Sequence, residues 1–392
     1  AVILMTDKLN EILELDFKQQ PLNIKLIIIL TFSVFLPFFI TIPVIFGVFF
    51  LLIKNQEVRL TIVRAGHFKL LVFLSLLMLA VPLFYKNYCG FGCAVLVMMF
   101  LAFACYINEV MDQTLFDLVC TISCLMSIFC AFVAILEWAT GLQDRVTALT
   151  YNANFYAFMI ELLVLICLYK YITTEKTLYL FAIAANCVAL IFTGCRSAWI
   201  AMLVGLFVFL WVSKKKNLMM TFIIIASVLA VAINFQPSLL PRYESLDLSM
   251  ANRLDIWRDA FKDFLQHPVF GRGLLAFYQV TANPNTPHAH NMLIDLLECT
   301  GIVGTSIWVY FFALLIKQLK EAFNFGSEQI KYRVALCGGV LAASLTHGVT
   351  DMPVMGIETG LFFFLLLSLS PRLTAKEAAR SLKFTASPQT GL

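Results

Sequence analysis

Twelve runs of mostly apolar residues divide the chain: 24–39, 40–53, 66–84, 88–107, 115–138, 153–172, 177–193, 197–213, 217–234, 290–316, 332–347 and 353–370. No other feature limits the fold so strongly. Crossing the hydrocarbon core takes about 20 residues of helix, and backbone in lipid has no water to bond, so each run must satisfy its own amides as a helix. Composition agrees: of 392 residues, 61% are hydrophobic and 13% charged, whereas a soluble domain carries about 25% charged residues. The sequence predicts an all-α polytopic integral membrane protein of about twelve transmembrane helices, with membrane lipids and no nucleic acid among its partners. Residues 23–53 form one apolar run holding Pro37 and Pro43, which reads either as a hairpin of two short helices or as one kinked helix. The mixed polar stretch Thr6 to Gln20 leads straight into this run, so no short cleavable signal peptide is expected. The eleven cysteines are an odd number and lie mostly inside apolar runs, as small buried residues do. Cys89, Cys93 and Cys195 fall near outer ends, where a disulfide stays open.

Lys and Arg orient the chain. Twelve spans with a cytoplasmic N-terminus put 20 of the 28 basic residues inside and 8 outside. The inner set is 15 Lys to 5 Arg and the outer set 2 Lys to 6 Arg. Lysine is enough to orient a membrane protein, whereas arginine grips phosphate with a planar fork, so the external face suits an anionic ligand. The organisation read from this is an N-terminal block of about nine spans (1–234), an external loop (235–289), about three further spans (290–370) and a cytoplasmic tail (371–392). Within the loop, 251–266 has helical periodicity. Leu254, Ile256, Trp257, Ala260, Phe261, Phe264 and Leu265 fill one arc of the wheel, and Asp255, Asp259 and Asp263 form a stripe opposite. Arg253 falls inside the apolar arc, where it either snorkels or meets an anion beneath the helix.

"PHAHNMLIDLLECTGIVG" (287–304) sets His288, His290 and Asn291 at a predicted helix start. The positive end of the helix dipole disfavours imidazolium, which suits a neutral, proton-accepting histidine. Asn291, Asp295 and Glu298 share a helix face, and carboxylates at membrane depth are costly and usually functional. An idle interfacial pair is the bland alternative for the histidines. A zinc site is a third, but no Cys or third His with ligand spacing lies nearby, so no metal is expected. Gly301 and Gly304 allow close helix approach. Arg196, in "TGCRSAW", sits in a very short external turn that pins it near the bilayer surface. Glu161, His347 and Asp351 are weaker candidates, with His347 and Asp351 at i, i+4 and able to pair. Asn152 and Asn154 stand at the outer end of a span, to meet sugar hydroxyls or cap the helix.

Three of these pieces resemble the O-antigen ligases and Wzy-type O-antigen polymerases, membrane glycosyltransferases of the GT-C class. His290 and Asn291, nine residues, then Gly301 and Gly304 match the ligase signature. "NRLDIWRDAFKDFLQHPVFGRG" is similar to the family's external segment, and "TGCRSAW" to its Thr-x-x-Arg element. The resemblance covers roughly 190–305. It implies transfer of a glycan from undecaprenyl diphosphate to a sugar hydroxyl of lipid A–core on the external face of the cytoplasmic membrane, with inversion and no cofactor. A lipid-linked repeat unit as acceptor would mean a polymerase, and a protein hydroxyl an O-oligosaccharyltransferase. His290 takes the role of general base. Arg196 and Arg253 take the diphosphate, and His288, Asn291, Asp295 and Glu298 stand as further substrate-binding candidates. A twelve-span transporter would predict two related halves and no long helical external loop, and the sequence has neither mark.

Overall fold

The computed structural model describes residues 22–369 apart from 112, 142, 240–241, 282–285 and 326–327. The polar stretch 6–20 and the tail 371–392 lie outside the described residues. All regular elements among the described residues are helices, and the architecture is that of a multi-pass membrane protein. Five helices are long and apolar enough to cross a bilayer alone: Tyr88–Asn108, Leu115–Thr140, Ala153–Thr174, Lys216–Phe235 and Met292–Asn324. A sixth arises if Phe38–Lys54 and Gln56–Val63, bent by 94°, count as one span. Shorter apolar helices, among them Phe68–Phe84, Leu178–Thr193 and Arg196–Val212, stand beside them. The apolar runs are thus helical, but helix length and composition support five or six crossings where the sequence reading expects twelve. The 23–53 run divides into Leu22–Ser33 and Phe38–Lys54. Pro37 starts the second helix, and Thr41 Oγ1 donates to Ser33 O at 2.6 Å across the break.

The core is built around Ala153–Thr174, buried at every position from Phe155 to Lys170. Against it pack Leu178–Thr193, Arg196–Val212 and Glu328–Gly348. The last two cross closely because Gly205 and Gly339 meet: a Cβ on either would lie 2.9 Å from the other's carbonyl oxygen. Lys216–Phe235 buries no residue. A helix apolar all round its circumference and left unburied fits lipid as its neighbour.

The helices carry two chemically different ends. Lys170 and Asn154 lie at opposite ends of Ala153–Thr174, and Arg196 and Lys214 flank Arg196–Val212. Lys214 and Lys331 stand 6.0 and 5.8 Å from the Phe323 ring centre, and Lys215 is 4.9 Å from that of Tyr332. The connections assigned outside by charge gather at the other end.

The surface helix runs Leu246–Gln266, longer than 251–266. Its apolar arc is split. Ala260 and Phe264 are buried with Ile256 beside them, whereas Leu254, Phe261 and Leu265 are exposed. Asp263 does not join a solvated stripe. It is 5% exposed and ion-paired to Arg272 Nη1 at 2.8 Å, because the chain folds straight back at Pro268. That return segment explains Gly301, whereas a Cβ on Gly304 would meet Thr300 and also Leu77 of the neighbouring helix Phe68–Phe84. Met292–Phe325 is broken at Gly301 (φ 61°, ψ −170°), and 268–273 pairs with the break. Arg272 N donates to Glu298 O (2.9 Å), Gly273 N to Cys299 O (2.8 Å), Ile302 N to Pro268 O (2.8 Å) and Val303 N to Val269 O (3.1 Å). Amides and carbonyls freed by the kink are thereby satisfied. Gly301 accordingly admits a loop, not a neighbouring helix, and a Cβ there would strike the backbone of Val269 and Phe270. Every cysteine is a free thiol, including Cys89, Cys93 and Cys195.

Candidate active site

Asn291 builds the site's floor. Its Oδ1 caps the helix by accepting from Leu293 N and Ile294 N at 3.1 Å, the usual use of Asn at a helix start. Its Nδ2 donates to Val349 O at 2.9 Å, binding this helix end to the turn after Glu328–Gly348. His290, just before the cap, has left-handed backbone (φ 48°), which costs a residue with a Cβ about 1–2 kcal/mol. Two contacts hold it there. His290 N donates to His288 Nδ1 (3.3 Å), and Trp257 Nε1 donates to His290 O (3.2 Å). Asp295 Oδ1 accepts from Ala289 N at 2.9 Å. Strain at a functional position persists only when the surroundings over-determine it, and His288, Trp257 and Asp295 do so here.

That geometry aims His290 Nδ1 at Asp351 Oδ1, 2.8 Å away. Asp351 also accepts from Met352 N (2.8 Å) and, at Oδ2, from Asn154 Nδ2 (2.7 Å). Burial alone would raise the carboxyl of Asp351. The hydrogen bond from His290 and the nearby His288, His290 and His347 rings outweigh it and hold the group well below the ordinary carboxylate range. A charged Asp351 accepts a hydrogen bond from Nδ1–H, which leaves the His290 Nε2 lone pair free to accept a proton. The relay continues outward: Arg145 Nη2 donates to Asn154 Oδ1 at 2.5 Å, and Arg145 Nε to Thr193 O at 2.7 Å. His288 lies under His290, ring centres 4.4 Å apart. Burial lowers its pKa to about 4, against the pull of Asp351 and with a small push from His290, so it stays neutral.

Beside this relay opens a cavity of about 340 Å³ whose lining includes Arg145, Arg196, Arg242 and Arg253, with Asn154, Ser197, Ser249 and Thr350. Among the described residues no carboxylate lines it. Arg196 Nη1 donates to Arg242 O at 2.6 Å, which fixes the turn in place. Four guanidiniums around one cavity give it a positive wall, the kind of surface that suits an anion.

Of the residues singled out by sequence, the structure brings together His288, His290, Asn291 and Asp295 in one cluster and Arg196 and Arg253 in the adjoining cavity. Glu298 stands apart, buried under the 268–273 segment, its side-chain carboxyl without a hydrogen-bond partner among the described residues. Asp351 does not pair with His347. The His347 ring instead meets Glu161 Oε1 at 2.5 Å in the buried core, while the Asp351 carboxylate is taken by His290 and Asn154. The sequence reading passed over Arg145 and Arg242 as individuals, although the arginine bias of the outer face had marked them as a set. The argument against a metal rested on a missing third ligand. Asp351 supplies one: ligand atoms of His288, His290 and Asp351 lie within 4.8 Å of one another and fit a divalent ion's donor set. The direct Nδ1–H···Oδ1 bond already satisfies two of the three.

Fold and site together define a multi-pass membrane protein with a carboxylate-held histidine next to an anion cavity. Residues 179–309 match the model of the family described as O-antigen ligase, Wzy_C. A curated O-antigen ligase of Pseudomonas aeruginosa PAO1 is 28% identical over 180 residues, 42% of this chain and 40% of that protein. Both findings are a likeness of part of this chain to O-antigen ligases. The chain spans about two fifths of that relative's length. The matched stretch holds Arg196, Arg253, His290 and Asn291, whereas Arg145, Asn154 and Asp351 lie outside it.

Proposed function

We propose that the protein is an O-antigen ligase. It transfers a glycan from undecaprenyl diphosphate to a sugar hydroxyl of lipid A–core oligosaccharide, on the outer face of the cytoplasmic membrane. The observation that carries this is the Asp351–His290 pair beside a cavity lined by four arginines and, among the described residues, no carboxylate. His290 Nε2 takes the proton of the acceptor hydroxyl as that oxygen attacks the anomeric carbon. Asp351 keeps the ring in the Nδ1–H tautomer and stabilises the imidazolium that forms. The arginines bind the diphosphate and neutralise the charge that grows on it as the glycosyl bond breaks. Attack opposite the leaving group inverts the anomeric centre. Asn291, Asp295 and His288 hold the backbone that positions His290.

The test is a strain lacking the protein, its lipopolysaccharide resolved on a gel, complemented with wild type or His290→Ala. A ligase predicts free core and accumulated lipid-linked polymer in the deletion, reversed by wild type only. Core bearing a single repeat unit would instead mean a polymerase. Orientation is tested by membrane-impermeant thiol labelling, which is expected at Glu244→Cys and not at Lys215→Cys.

A further inference from the structure

Tyr85, Arg272, Tyr278 and Gln279 line a second, shallow bowl of about 490 Å³. Its construction differs from that of the arginine cavity. Arg272 is ion-paired to Asp263 at 2.8 Å, so the bowl's only guanidinium is already neutralised. The Arg272 guanidinium stands 5.5 Å from the Tyr85 ring centre, and the His267 ring meets Tyr85 edge-on at 5.1 Å. Arg272 Nη2 reaches Gln279 Oε1 at 3.5 Å, the long end of hydrogen bonding, while its buried Nε has no partner among the described residues. Tyr278 is 42% exposed on the short helix Ala276–Thr281. Two amphipathic rings, an amide and a pre-oriented, charge-compensated guanidinium suit a neutral ligand with apolar C–H faces and many hydroxyls.

Position agrees with chemistry. Asn87 Nδ2 donates to Leu274 O at 2.7 Å, joining the Tyr85 turn to the segment that leads to Tyr278. Leu274 and Leu275, which precede that helix, share a cavity wall with His288. The bowl is therefore one short segment away from the histidine pair and distinct from the four arginines.

We propose that Tyr85, Arg272, Tyr278 and Gln279 form a saccharide subsite that holds sugar residues beyond the one at the reacting bond. The inference rests on the ligase reading for its ligand, and donor and acceptor glycans share the chemistry it recognises. The test is saturation-transfer NMR on the full-length protein in detergent. Two probes are used: oligosaccharide released from the host's own lipid-linked glycan, and its lipid-free core oligosaccharide. Wild type is expected to saturate sugar ring protons of one probe, which identifies the source. Tyr278→Ala should weaken binding about tenfold, a loss of about 1.4 kcal/mol. Tyr278→Phe, which keeps the ring face, should bind like wild type, and so should Arg253→Ala. The subsite is refuted if wild type saturates neither probe, if Tyr278→Ala binds like wild type, or if Arg253→Ala alone abolishes the signal. Transfer measured on the same preparations separates the two ideas. Saccharide binding without transfer removes the ligase reading alone, and transfer without saccharide binding removes the subsite alone.

Discussion

Replacing Asp351 with Asn is the most informative single change. The side chain keeps its size and can still accept from Asn154 or Met352, so the turn at 349–352 should hold. What disappears is the charge. In the folded protein Asp351 is 1% exposed and held well below the ordinary carboxylate range, so it is ionised at every working pH. Its charge faces His290 Nδ1 at 2.8 Å. When His290 takes a proton, an imidazolium forms against that buried anion. With Asn it forms against a neutral amide, and the amide's N–H can drive the ring into the wrong tautomer. A positioned base is worth about 10²–10⁴ in rate, and in a serine-protease triad the equivalent Asp→Asn change costs about 10⁴. Transfer by Asp351→Asn should therefore fall by about 10²–10⁴ in kcat, with KM for the lipid-diphosphate donor little changed because the arginines are untouched. The assay is transfer from purified lipid-linked glycan by purified protein, across pH, with binding of the donor measured separately. A kcat within threefold of wild type would refute the role given to Asp351.

Arg196→Lys and Arg253→Lys keep charge but lose the fork, and each should lose most transfer, while Arg258→Ala and Lys262→Ala, 61% and 63% exposed and paired only to surface carboxylates, should keep it. Chelation by EDTA should leave transfer unchanged, since the Nδ1–H···Oδ1 bond needs no ion; loss restored by one divalent metal would reassign His288, His290 and Asp351 as its ligands. Gly301→Ala forces a Cβ into left-handed backbone and into Val269, so it should destabilise the protein by at least about 1–2 kcal/mol, read as a lowered melting temperature in detergent. His288 is neutral in the fold with a pKa lowered to about 4, against about 6.5 when unfolded. The unfolded chain binds the extra proton between those values, so stability should drop as pH falls from about 6.5 to 4, and His288→Gln should flatten that slope.

What the sequence could convey depended on the range of the interaction. Helices follow from apolar runs, and the signature around His290 is local, so both were legible. Asp351 is 61 residues from His290 and 197 from Asn154, and no local pattern encodes such meetings. The i, i+4 spacing of His347 and Asp351 suggested a pair, but Glu161 takes the His347 ring while His290 and Asn154 take the Asp351 carboxylate. Asp263 read as part of a solvated stripe because a helical wheel treats one helix alone, whereas the return of the chain at Pro268 places Arg272 against it. Gly301 and Gly304 were visible as a motif, but a glycine that permits close packing and one that permits a break look identical in sequence.

The paired strands of backbone at 268–273 and 298–303 close the chain on itself. The segment between them, including the bowl's Tyr278 and the histidines, is closed by this clasp and anchored again where Asn87 bonds Leu274 O, Trp257 bonds His290 O and Asn291 bonds Val349 O. Closing a flexible loop costs little more as it lengthens, about 0.6 kcal/mol per doubling. Residues can therefore be added to or removed from the middle of this span without shifting Arg253 on one side or Gly304 on the other. Such an arrangement fixes the backbone on both sides of the segment independently of what lies between, so Leu246–Gln266 and the kink at Gly301 keep their places when the exposed positions of Ala276–Thr281 are changed.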